Sequence, residues 1–117
     1  MITAIVPIKD YHEPYLRAAF ASLFGQTRPD WRAIAVVEPE DLTVFRALLA
    51  DELRDARVAL VANEGRKLAG AINTGIRAAT SEFVAILLAD DLWEPAAVAV
   101  LGREIAAHPE VDFLHSA

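Results

Sequence analysis

Apolar runs of strand length recur along this chain, at Ile2–Ile8, Ala33–Val37, Val58–Ala62, Phe83–Leu88 and Val111–Leu114. Their starts lie roughly 25–30 residues apart, the length of one βα unit. The segments between them carry apolar residues at helical spacing. Leu16, Ala19, Phe20 and Leu23 form one face, and Leu42, Phe45, Leu48, Leu49 and Leu53 a second. Leu68, Ala71, Ile72, Gly75, Ile76 and Ala79 form a third, and Val98, Leu101 and Ile105 a fourth. The strands are continuous rather than alternating in character, which predicts cover on both faces. Strand and helix alternating in this way predict an α/β fold, a three-layer α/β/α arrangement around a mostly parallel sheet. Turn chemistry places the boundaries at Thr27–Asp30, Glu38-Pro39 and His108–Glu110, with no linker or repeat. A single domain over residues 1–117 is expected.

Charge narrows the partners. Seventeen acidic residues face eleven basic ones, a net charge of −6. This balance opposes non-specific binding to nucleic acid or to an anionic membrane surface. There is no cysteine, hence no disulfide framework, thiolate nucleophile or cysteine metal site. Met1 runs directly into a strand without the basic and apolar regions of a signal peptide. The longest apolar stretch, Phe83–Ala89, is too short to span a bilayer. A cytoplasmic chain with no transmembrane segment is the expectation.

The richest segment is Phe83–Pro95, in which an apolar strand runs into Asp90-Asp91 and then into Trp93 and Pro95. Adjacent carboxylates repel each other and resist desolvation unless water, a donor or a cation satisfies them. At the carboxyl end of a parallel strand the usual cation is a hard divalent metal carrying a phosphate ligand. The competing reading is a helix cap, since Asp91 and Glu94 have capping-box spacing and Pro95 would fall in the first turn. Asp10, Glu38, Glu40 and Asp41 belong to the same predicted sheet edge. Solvated loops or helix caps account equally well for most of them, Asp10 (with Glu13) and Asp41 above all. Lys9, Arg66 and Lys67 are candidate counter-charges for a diphosphate, the last two just before a helix whose amides favour anions. Gly75, inside that helix, is expected to allow close packing on the sheet, with Asn73 bonding to a neighbouring loop. Trp31 and Trp93 read as packing anchors. His12, His108 and His115 lack metal-ligand spacing and read as surface or cap residues. The glycines compose no phosphate loop or dinucleotide fingerprint, and no serine sits in a nucleophile elbow.

Several stretches together resemble the amino-terminal, nucleotide-sugar-binding half of a family 2 glycosyltransferase of the GT-A fold, with its Rossmann-like sheet. They are Ile5–Ile8, Tyr15-Leu16, Ser22-Leu23, Gln26-Thr27, Ala33–Val37, Leu68–Gly75 and Ala89–Pro95. The resemblance implies a nucleotide-diphosphate sugar and Mn²⁺ or Mg²⁺, with Asp90 as metal ligand and Asp91 beside it. Pro7 and its neighbours Ile8 and Lys9 would contact the base or ribose. Glu38 would stand where the family usually has an Asp, and Lys67, where it usually has a Gly, would face the diphosphate. The chain also departs from the pattern. The base-reading Asp falls on Pro39, and the first Asp of Asp-x-Asp falls on Leu88. The half that supplies acceptor contacts and the catalytic base would lie beyond this sequence, so the acceptor and the base stay unassigned. The expected function is glycosyl transfer to an acceptor hydroxyl. The alternative is a degenerate, non-catalytic module acting through protein contacts, possible as a homodimer.

Overall fold

The structure, a computed structural model, describes residues 1–110. The expected strand at Val111–Leu114, and His115, lie outside the described residues. Strand β1 (Ile2–Pro7) leads to helix α1 (Glu13–Phe24), and β2 (Trp31–Val37) to a 3₁₀ turn (Pro39–Asp41) and α2 (Leu42–Leu48). A second 3₁₀ turn (Glu52–Arg54) precedes β3 (Val58–Ala62), followed by α3 (Lys67–Ala78), β4 (Phe83–Ile86) and α4 (Ala97–Ala107). The four strands are parallel in the order β3-β2-β1-β4.

Side chains alternate across a strand, and β1 shows how this builds two cores. Ile2, Ala4 and Val6 face a large core with Leu16, Phe20 and Leu23 of α1, Phe45 of α2 and Val98 of α4. Ile5 faces the opposite side, where it meets Ile34, Val36 and Ala71 of α3. The sheet is thus sandwiched between α1, α2 and α4 on one face and α3 on the other. Gly75 explains how close α3 comes. A Cβ there would lie 2.5 Å from Ile5 Cγ2, so the glycine expected to permit close packing does so. Asn73, by contrast, is exposed, and the bonds to the neighbouring loop come from Asn63 and Thr74.

Cover on both faces holds for β1 and β2 but not for β4. Val84 and Ile86 are 37% and 41% exposed, because α3 packs over β1 and β2 and leaves the β4 end of its face open. The acidic caps are also not realised. Helix α1 begins after His12, not Asp10, with Pro14 in its first turn, and Asp41 flanks α2 without a side-chain cap bond.

Trp31 anchors the start of β2, fully buried. The Arg57 guanidinium lies 3.9 Å from the Trp31 ring centroid and donates to the Pro29 carbonyl at 3.0 Å. Asp55 holds that guanidinium through contacts of 3.0 and 2.8 Å. In return, hydrogen bonds from the Arg57 side chain and backbone lower the Asp55 carboxyl from 3.8 to about 2.

Candidate functional site

The carboxyl ends of all four strands open on one edge. Backbone bonds continue past the strands and fix the loops there. Ile8 N–H donates to Val36 O at 2.9 Å, Asn63 N–H to Val37 O at 2.7 Å, and Leu87 N–H to Ile5 O at 2.9 Å. Two clefts result. The first, of about 290 Å³, lies over the ends of β1, β2 and β3, with Pro7, Ile8, Val36 and Val37 as its apolar floor and Lys9, Glu38, Asn63 and Lys67 among its polar groups. The second, of about 460 Å³, lies between the loops after β1 and β4 and includes Asp10 and Asp90. Pro7 lines both, so they adjoin.

Of the residues singled out from sequence, Pro7, Ile8, Lys9, Glu38 and Lys67 share the first cleft, and Asp90 lies in the second. Asp91 is exposed beside Asp90, its N–H closing a turn onto Leu88 O at 3.0 Å. Arg66 is the N-cap of α3 and exposed. It lines neither cleft, and neither do Glu40 and Asp41.

The acidic loop is positioned from a distance. Helix α4 starts at Ala97, with Ala96 as its cap, so the Asp91–Glu94 capping box does not form. The end of α1 takes its place. Gln26 Oε1 accepts from Val98 N–H at 2.9 Å, satisfying an orphan amide of the first turn. Gln26 Nε2 donates to Glu94 O at 2.8 Å, Thr27 N–H to Pro95 O at 2.8 Å, and Trp93 N–H to Ser22 Oγ at 3.1 Å. Trp93 itself packs part-buried against the main core. With its backbone held this way, the loop presents both Asp90 and Asp91 to solvent.

Asn63 is the site residue that sequence analysis missed. It is buried, accepts from Gly65 N–H at 2.8 Å and donates to Lys67 O at 3.1 Å. Thr74 Oγ1 accepts from Glu64 N–H at 3.0 Å and donates to Gly70 O at 2.8 Å. The loop lies so close to α3 that a Cβ on Gly70 would fall 2.6 Å from the Gly65 carbonyl carbon. Lys67 follows with φ 56°, the one non-glycine residue with positive φ among those described. A polar residue directly after an apolar strand was the available signal for Asn63, the same signal that marks Asp90.

Among the described residues, no group of three or more His, Asp or Glu side chains could hold a metal ion. The second cleft bears the separate carboxylates of Asp10 and Asp90, with Asp91 exposed beside Asp90, rather than a closed cage. An ion held by so few protein oxygens keeps phosphate or water as its other ligands. No helix among the described residues is long and apolar enough to cross a membrane.

Known proteins share this organisation. The family model of glycosyl transferase family 2 matches residues 3–116. An O-antigen biosynthesis protein of Myxococcus xanthus is 29% identical over 99% of this chain, which spans 9% of that protein. The UDP-Glc:alpha-D-GlcNAc-diphosphoundecaprenol beta-1,3-glucosyltransferase WfgD of Escherichia coli is 35% identical over 69% of the chain and 32% of its own length. The mannosyltransferase PcManGT of Pyrobaculum calidifontis, solved in complex with GDP-Man and Mn²⁺, superposes with a TM-score of 0.65 at 28% identity. That match covers 85% of this chain and 30% of the mannosyltransferase chain. The chain thus spans a third or less of each of these proteins.

Proposed function

Because this chain belongs to glycosyl transferase family 2, we propose that it binds a nucleotide-diphosphate sugar with Mn²⁺ or Mg²⁺ for transfer of the glycosyl group to an acceptor hydroxyl. One observation carries the reading. A cleft with an apolar floor and a lysine rim adjoins, at Pro7, a cleft bearing Asp90. The first suits a flat base and ribose, with Ile8, Val36 and Val37 beneath it and Glu38 at its side to accept from ribose hydroxyls or base N–H groups. Lys9 and Lys67 supply positive charge toward the diphosphate. Asp90, with Asp91 beside it, would hold the divalent ion. When bound, that ion offsets the charge that develops on the leaving diphosphate. The chain's own part is to fix the donor's orientation, through the strand-end hydrogen bonds and the α1 contacts to the acidic loop, so that reaction does not first require ordering. A relative named for UDP-Glc and a structural neighbour bound to GDP-Man and Mn²⁺ support the substrate class.

The second reading, a non-catalytic module that acts through protein contacts or as a homodimer, draws on the open apolar side of β4, Val84 and Ile86. Calorimetric titration of UDP, GDP and deoxythymidine diphosphate, with and without Mn²⁺, separates the two. The transferase reading predicts saturable binding that needs Mn²⁺ and weakens by about tenfold or more, ~1.4 kcal/mol, in Asp90→Asn. A folded chain that binds none of the three favours the second reading.

A further inference from the structure

The first cleft carries one side-chain acceptor that the chain itself leaves unused. Asn63 is turned toward its own loop, its side-chain oxygen accepting from Gly65 N–H at 2.8 Å and its amide donating to Lys67 O at 3.1 Å. The carbonyls of Val36 and Val37 already accept from Ile8 N–H and Asn63 N–H. Lys9 and Lys67 can only donate. Glu38 is what remains. It stands at the end of β2 as N-cap of the Pro39–Asp41 turn, yet its side chain makes no cap bond. Among the described residues its carboxylate joins none of the ion pairs. It is half-buried on the wall of the cleft. Pro39, next in the chain, has no N–H to offer a base carbonyl.

We propose, on the strength of the transferase reading above, that Glu38 selects guanine, so that the donor is a GDP-sugar rather than a UDP-sugar. An ionised carboxylate has two acceptor oxygens and no donor. Its best partner is a pair of parallel N–H groups, the fork that an arginine presents to it. Guanine has that pair on its pairing edge, the ring N1–H and the exocyclic 2-amino group side by side. Uracil offers one N–H between two carbonyl oxygens, which turn negative charge toward the carboxylate. Adenine and cytosine each place an amino group beside a bare ring nitrogen, so one carboxylate oxygen meets a lone pair. In a half-buried place such a mismatch leaves polar atoms desolvated and unpaired, which costs more than the lost bond. Leu68, 54% exposed on α3, lines the same cleft as Ile8, Val36 and Val37 and gives the broad face of a purine apolar surface to cover.

Calorimetric titration of GDP, IDP, UDP, ADP and CDP into the full chain in Mn²⁺, repeated on Glu38→Gln, tests the selection. IDP keeps the ring N1–H of guanine and lacks its 2-amino group. The expected result in the wild type is GDP tighter than UDP, ADP and CDP by about tenfold or more, with IDP between. In Glu38→Gln the side-chain amide presents one acceptor and one donor, which suits uracil. GDP is expected to weaken and UDP to tighten, a gain that misfolding does not produce. UDP, ADP or CDP bound as tightly as GDP by the wild type, or IDP bound as tightly as GDP, overturns the selection and leaves the nucleotide reading standing. So does a preference for GDP that survives in Glu38→Gln. Equal weakening of every nucleotide in that variant overturns it too and gives Glu38 to the ribose hydroxyls. A folded wild type that binds none of the five overturns both readings.

Discussion

Lys67 concentrates the account at the residue scale. A side chain in the left-handed region costs about 1–2 kcal/mol, and such residues cluster where a surrounding structure over-determines them. Here the Asn63 amide holds the Lys67 carbonyl and the Gly65–Gly70 approach leaves the loop little freedom. The strained backbone sets Lys67 at the cleft over the ends of β1, β2 and β3. Lys67→Gly is therefore expected to raise stability by up to ~1 kcal/mol in urea unfolding while weakening binding of a nucleoside diphosphate. Lys67→Ala is expected to weaken binding equally without the gain in stability. Undiminished affinity in both variants removes Lys67 from the site. Lys67 was legible from its charge and place before a helix. Its backbone conformation was not, because it follows from Asn63 and from two glycines five residues apart that meet in space.

At the scale of elements, the end of α1 governs the acidic loop. Gln26→Ala leaves the Val98 amide, on a buried residue, without its acceptor. The expected cost is about 1–2 kcal/mol, together with weaker Mn²⁺-dependent nucleotide binding as the Asp90 loop loses its hold on α1. Thermal unfolding and titration of the same variant check both. A variant that loses stability with unchanged Mn²⁺-dependent affinity separates the loop's anchoring from its ligand role. The Asp55–Arg57 clamp gives a pH dependence. With the Arg57 hydrogen bonds the folded carboxyl titrates at about 2 against its ordinary 3.8, so its contribution is present above about 3.8 and lost as pH falls through about 2. Asp55→Asn is expected to flatten the stability profile in that window, as followed by unfolding at each pH. The runs Ile2–Ile8 and Ala33–Val37 showed their strands plainly because both faces of β1 and β2 are buried. The run at Phe83–Leu88 looked the same, yet β4 is half open, since strand composition does not say which helix ends over which strand. The start of α4, for which a cap at Asp91 was the competing reading, shows a related limit. Its local signals at Asp91, Glu94 and Pro95 fit a cap, and the cap that forms comes from Gln26, more than seventy residues earlier by the hydrogen bond to Val98.

At the scale of the whole molecule, the fold gathers chemistry that the sequence scatters. Lys9, Glu38, Asn63, Lys67 and Asp90 follow or adjoin four different strand ends, and parallel order alone brings them to one edge. The sheet is the expected parallel α/β one, and its neighbours in structure are GT-A glycosyltransferases. The central claim is that nucleotide binding belongs to the edge over β1, β2 and β3. The most direct test is backbone amide mapping by NMR as UDP or GDP is added in Mg²⁺. The account predicts shifts clustered at Ile8, Val37, Glu38, Asn63 and Lys67, with a second group at Asp90 and Asp91 that appears only with the metal. Shifts at the opposite end of the sheet, or none at any nucleotide concentration that saturates the family's other members, would contradict it.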